Sequence, residues 1–216
     1  MLRRLPRMTI LKLREAQESD IPAMARIRAA EWETEEYWNK RIRAYMAGEL
    51  DPKFALKPRV NYVCHEEDVL VGFIAGHLTT RHGCQGELEW INVIPERRGS
   101  GAASGLVRVL AKWFVANNAL RICVDVEPSN TIACRFYACH GAEDLKPHWM
   151  VWNDIRAVLA NEEPLEPPGT HNHRHNPNYK HPHEDRSQHD YAFVAAALSG
   201  LRAGKLGHSC PSNAVS

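Results

Sequence analysis

The stretch Leu88-Glu-Trp-Ile-Asn-Val-Ile-Pro-Glu-Arg-Arg-Gly-Ser-Gly-Ala-Ala-Ser-Gly-Leu-Val107 brings together the residue types that bind a phosphate. An alternating apolar strand pattern ends at Pro95, Arg97 and Arg98 are basic, and small residues run from Gly99 to Ala103. Small residues let backbone N–H groups approach an anion. The helix pattern that follows, with Leu106, Val107, Leu110, Trp113 and Phe114 on one face, points its positive dipole end at the turn. Anion recognition by bare amides is the direct reading. Two other phosphate motifs use similar glycines. A P-loop needs Gly-Lys-Ser/Thr at its end, and here the turn ends Ala102-Ala103-Ser104. A dinucleotide fingerprint needs glycine where Ser104 stands and an acidic residue about 20 residues on, roughly where Asp125 falls, so it fits poorly without being excluded.

A more complete match is Arg/Gln-x-x-Gly-x-Gly/Ala, met by Arg98-Gly-Ser-Gly-Ala-Ala103. With Val93-Ile-Pro95 before it, and Asn130 and Phe136-Tyr-Ala-Cys-His-Gly141 after the next strand, the chain resembles the GNAT superfamily of N-acetyltransferases over roughly residues 9 to 155. Ala142 stands where that family often has phenylalanine. The resemblance implies acetyl-CoA as cosubstrate. Amides of Arg98, Gly99, Ser100, Gly101, Ala102 and Ala103 would cradle its pyrophosphate, and the backbone of Asn92, Val93 and Ile94 would pair with its pantetheine arm. Asn130 would hold the same arm, although helix capping alone also selects asparagine.

The implied reaction is acetyl transfer to a primary amine of a small molecule or protein, by direct attack in a ternary complex. Tyr137 is the implied general acid for the departing thiolate. Glu89 is the implied base, acting through water; alternation places it on the strand face of Ile91 and Val93, and Glu87 shares that face as an open alternative. For the acceptor, Trp32, Glu33, Trp38 and Trp90, with Glu31, Glu35, Glu36 and Tyr37 nearby, suit a cationic amine through charge and cation–π contact. The same residues also suit solvated helix ends over a tryptophan core. Two competing readings are a non-catalytic acyl-CoA sensor or interaction module and a metal-handling scaffold whose tail is the active part.

These residues need a frame. Alternation predicts strands at residues 10–16, 61–65, 69–79, 87–94, 120–126 and 148–152. Helices are expected from Ser19-Asp20 and Pro22 to about Glu31, from Tyr37 to about Ala47 between a Thr34 cap and Gly48, from the anion turn to about Asn118, and over 130–140. Residues 49–58, with two prolines, read as a loop. The expected class is α/β (α+β); the resemblance implies a mixed, twisted sheet of six or seven strands with helices on both faces, splayed where CoA enters.

The chain's 216 residues suit one domain plus a tail. An N-terminal extension is expected over 1–8, the acetyltransferase domain over 9–160, and a largely disordered His/Pro-rich tail over 161–216; Met8 is an alternative start. Lys+Arg 27 against Asp+Glu 26 leaves no broad basic field, so no nucleic acid is expected. No apolar run approaches the roughly 20 residues of a membrane span and no secretory signal opens the chain, so a cytoplasmic protein is expected. The six cysteines lack CxxC spacing and read as reduced thiols. Clustered tail histidines from His171 to His183 read as incidental, and His65, His77, His82, His140 and His148 show no ligand spacing, so no metal is expected. A homodimer is left open.

Overall fold

The computed structural model describes residues 10–160; the expected extension, the tail and its histidines lie outside the described residues. Eleven regular elements follow in order: β1 (Leu11–Glu15), α1 (Ile21–Ala29), α2 (Glu35–Ala47), β2 (Ala55–Glu66), β3 (Val69–Thr79), β4 (Gly86–Val93), α3 (Ala102–Ala116), β5 (Ile122–Asp125), α4 (Thr131–Cys139), β6 (Glu143–Lys146) and β7 (Trp149–Trp152). The strands form one seven-stranded sheet in the order β1-β2-β3-β4-β5-β7-β6. Every neighbouring pair is antiparallel except β4 and β5. A parallel pair needs a crossover, and α3 supplies it.

Each face of the sheet buries one set of helices. Ile21, Met24, Ile42 and Tyr45 of α1 and α2 pack on Val63, Phe73 and Trp90. Leu106, Leu110 and Phe114 of α3, with Tyr137 of α4, pack in the other cluster with Ile74, Leu88, Ile122 and Trp152. The helix pattern read from the sequence therefore serves as the buried stripe of α3. Close approach of α3 depends on Gly86, where a Cβ would fall 2.4 Å from Phe114 Cε1. No helix among the described residues is long and apolar enough to cross a membrane.

Local signals act mostly as read. Thr34 Oγ1 accepts from the Tyr37 N–H at 3.2 Å, and Gly48 closes α2 at φ 76°. Two elements depart from expectation. The segment read as a loop ends early, because β2 starts at Ala55 and runs past Pro58. Its pairing with β3 shifts register between Leu56 and Arg59, so the proline's missing donor falls where the ladder is already interrupted. β6 was not expected, since Glu143-Asp-Leu-Lys146 at the sheet edge has almost no apolar signal.

Candidate active site

Where β4 leaves β5, the sheet opens. The two strands pair over three residues only, from Gly86↔Ile122 to Leu88↔Val124, after which β5 continues against β7. The edge of β4 facing away from β3 has no strand partner beyond Leu88 among the described residues. Asn92 and Val93 lie on this free stretch, and Ile94 follows it with its own N–H given to Val71 O at 2.9 Å. The Asn92 side chain is buried toward α1, accepting from Arg28 Nη1 at 2.9 Å and donating to Glu31 at 3.3 Å, so only its backbone is available at the opening.

The glycine turn follows at once. Gly99 and Gly101 have φ 78° and 88°, in the left-handed region that disfavours side chains. A Cβ on either would meet nothing within 4 Å, so internal packing is not what selects glycine there. The Arg98 and Ser100 amides are used inside the turn, donating to Pro95 O and Arg97 O at 3.2 and 3.3 Å, and Ala102 N–H reaches Ser100 Oγ at 3.4 Å. The N–H groups of Gly99, Gly101 and Ala103 have no partner among the described residues. Of the six amides expected to hold a phosphate, these three are free. Arg98's side chain turns inward and pairs with Glu31, tying the turn to the segment that follows α1.

A register shift in β4 rearranges the carboxylates. β3 residues Ala75 and Gly76 face Trp90 and Leu88, so Glu89 is the extra residue of a bulge. Leu88 and Val93 then join the α3 core while Trp90 joins the core under α1 and α2. The expectation that Glu89 shares a face with Ile91 and Val93 is therefore corrected: a bulge breaks strict alternation, and the Glu89 carboxylate lies with Glu87 and His77, their polar atoms all within 4.8 Å of one another.

Glu87 and Glu89 differ sharply in surroundings. Glu87 accepts from Arg81 Nε at 2.8 Å and Thr79 Oγ1 at 3.4 Å. Burial works to raise its pKa, but His77 and Arg81 outweigh burial and hold it below the ordinary value. Glu89 makes no hydrogen bond among the described residues, and burial first of all raises its pKa, with Glu87's charge adding to the shift against His77, Arg41 and Arg28. His77 is fully buried between Tyr45, whose hydroxyl lies 3.1 Å from Nδ1, and Glu87, 3.6 Å from an otherwise unpartnered Nε2. His77, Glu87 and Glu89 form the only group with metal-ligand spacing among the described residues. The Arg81 guanidinium already supplies a cation to it.

Tyr137 is 5% exposed, its ring edge-on to Trp152 at 5.7 Å and to Phe136 at 5.5 Å. Its hydroxyl has no hydrogen-bond partner among the described residues, and burial raises its pKa, so the phenol stays protonated. His140 anchors α4 by bonding Phe136 O at 2.8 Å and Ser104 Oγ of α3 at 3.1 Å. Asn130 caps α4, accepting from Ala133 N–H at 3.1 Å, which accounts for that asparagine without a ligand.

A cavity of about 570 Å³ opens beside the bulge, lined by Glu87, Glu89 and Trp90 of β4, Asp125, Glu127, His148 and Trp149 opposite, and Arg28, Arg41, Lys53 and Arg81. Of the residues expected to meet an acceptor, Trp90 lines it; Trp32, Glu33 and Trp38 do not. Arg28, which sequence reasoning missed, occupies the place foreseen for a ligand cation, its guanidinium carbon 4.6 Å from the ring centroids of both Trp32 and Trp38. Burial pulls its pKa down to about 10, still fully charged at neutral pH. Glu31 is spent on Arg98 and Asn92, and Glu36 pairs with Lys40 at 2.7 Å. Toward the cavity the two front helices, α1 and α2, thus present Arg28 and Arg41 rather than acids. Only an arginine near two tryptophans hinted at this, and helix geometry had to bring Trp38 back over Arg28.

The profile of the Acetyltransferase (GNAT) family matches residues 17–142, more than half of the chain. Among solved structures, the chain is similar to the aminoglycoside N-acetyltransferase AAC(6')-Iy in complex with CoA, at 18% identity and TM-score 0.56, covering 66% of this chain and 93% of that one. Aminoglycoside antibiotic 6'-N-acetyltransferase AAC(6')-Ig from Acinetobacter haemolyticus aligns at 18% identity and TM-score 0.54, over 62% and 92%. An acetyltransferase from Thermus thermophilus aligns at 19% and 0.50, over 67% and 97%. A comparison with curated proteins gives no match.

Proposed function

Since the chain belongs to the GNAT acetyltransferase family, we propose that it is an N-acetyltransferase carrying an acetyl group from acetyl-CoA to a primary amine in a ternary complex. The observation that carries this reading is the parting of β4 from β5 directly beside three unpartnered amides at the start of α3. The anionic pyrophosphate fits the Gly99, Gly101 and Ala103 amides and the α3 dipole, with open space where a Cβ would stand. The free edge of β4 suits an extended amide-bearing arm lying as a further strand. Acetyl-CoA supplies an activated thioester.

Glu89 then serves as base. It faces the cavity, has no protein partner, and has its pKa raised by burial, whereas Glu87 is already committed to Arg81. As the amine nitrogen bonds to the acetyl carbon and the carbon–sulfur bond breaks, Glu89 takes the amine proton, directly or through water. Tyr137 donates to the leaving sulfur from its protonated hydroxyl. Backbone N–H groups on the unpaired part of β4 stabilise the carbonyl oxygen as it gains charge. Calorimetric titration with acetyl-CoA tests the first half of the proposal: micromolar binding is expected, and none at millimolar ligand would overturn it. Thiol release on adding amines tests the second.

A further inference from the structure

The cavity beside Glu89 is electrically two-sided. On one side stand Glu89 and Asp125, the latter exposed and without a hydrogen bond among the described residues. On the other stand Arg28 and Arg41, one from each front helix; Lys53 also lines the cavity. Glu87 neutralises Arg81 at 2.8 Å, so that pair adds little net field. Arg41 is half-buried and has neither ion pair nor hydrogen bond among the described residues. Arg28 bonds only the neutral Asn92, and its Nε is buried without a partner. Arg28 and Arg41 repel one another; the nearby Glu31 and Glu89 charges offset part of this, but neither carboxylate hydrogen-bonds to either guanidinium, which leaves both forks open to a ligand carboxylate.

From this arrangement we propose that the acceptor is an amine that itself carries a carboxylate, of amino-acid class, bound with its amine toward Glu89 and its carboxylate toward Arg41 and Arg28. The inference rests on the acetyltransferase reading and narrows its substrate. A polycation would set its charges against the same arginines, whereas a zwitterion meets both walls with matching sign. Guanidinium suits this task because its forked donors match a carboxylate. A cavity of about 570 Å³ accommodates a molecule of that size.

Matched pairs that differ only in the carboxylate test the proposal: histidine with histamine, phenylalanine with phenethylamine, lysine with cadaverine. Turnover of acetyl-CoA by the full chain is followed for both members, beside calorimetric binding of acetyl-CoA. The carboxylated member of at least one pair is expected to have the higher kcat/KM by roughly 10- to 100-fold, the range a charge-assisted pair supports. That ratio is expected to collapse in Arg41→Gln, and because both members are read on one preparation, a loss of folded protein cannot mimic the result. Equal or reversed ratios in all pairs would overturn the inference while leaving acetyl transfer standing. Turnover of neither member by a protein that binds acetyl-CoA would overturn it too. Failure to bind acetyl-CoA would instead remove the acetyltransferase reading.

Discussion

Glu89 shows how one bulge sets the behaviour of a side chain. Burial raises its pKa, so the base form is lost as pH falls through a value above the ordinary carboxylate range. The acidic limb of kcat/KM is expected above about pH 4.3, the ordinary glutamate value, and Glu89→Gln is expected to remove that limb and slow turnover by about 10² to 10⁴. The same shift has a stability sign. The folded state binds this proton more tightly than the unfolded one, so stability from this group is present at low pH and falls as pH rises through the folded pKa. Melting curves of Glu89→Gln should therefore gain on the parent at pH 8 and not at pH 4; a gain at both would mean the carboxylate is not strained by burial. Tyr137→Phe keeps the ring packed on Trp152 and removes only the hydroxyl. Turnover should drop with acetyl-CoA affinity nearly intact, and a loss of affinity with unchanged turnover at saturation would make the tyrosine a binding residue instead.

Among the elements, β4 and α3 are fitted to each other at one glycine. A Cβ at Gly86 would sit 2.4 Å from the Phe114 ring, so Gly86→Ala is expected to cost about 1 to 3 kcal/mol by overpacking, read as a lower Tm. The glycines of the anion turn should behave differently. Gly101→Ala meets open space but must hold φ 88°, roughly 1 to 2 kcal/mol of backbone strain. Acetyl-CoA affinity is expected to fall by more than stability does, because the added methyl stands where the phosphate approaches; a Tm change with unaltered affinity would count against that placement. The start of α1 depends on Asp20, which accepts two bonds from Arg14 at 2.7 and 2.8 Å and one from Gln17 N–H at 2.8 Å. Hydrogen bonding by Arg14 lowers its pKa despite burial, so its contribution is complete above the unfolded value and is lost as pH falls through the folded one.

At the scale of the whole molecule, the described residues 10–160 hold three hydrophobic clusters and the site. We expect a chain ending at Ala160 to fold and bind acetyl-CoA with the affinity of the full chain, and a large loss of binding would move the domain boundary into the tail. Much of this frame is local chemistry that a sequence displays. The glycine turn, the amphipathic α3, the Thr34 cap and the order of elements are set by neighbours within a few residues, so residue type and spacing suffice to read them. The free edge of β4, the identity of the unpartnered carboxylate and the charge of the acceptor wall are not local. Glu87 and Glu89 look alike along the chain, and only the bulge opposite Ala75 and Gly76, with Arg81 folding onto one of them, makes one a neutralised partner and the other a half-buried acid without a hydrogen bond among the described residues. Likewise Glu31 and Trp38 suggest a site for a cation until the fold gives the acid to Arg98 and lays Arg28 against the ring. Composition determined which charges were available, and long-range packing decided which of them were left uncompensated.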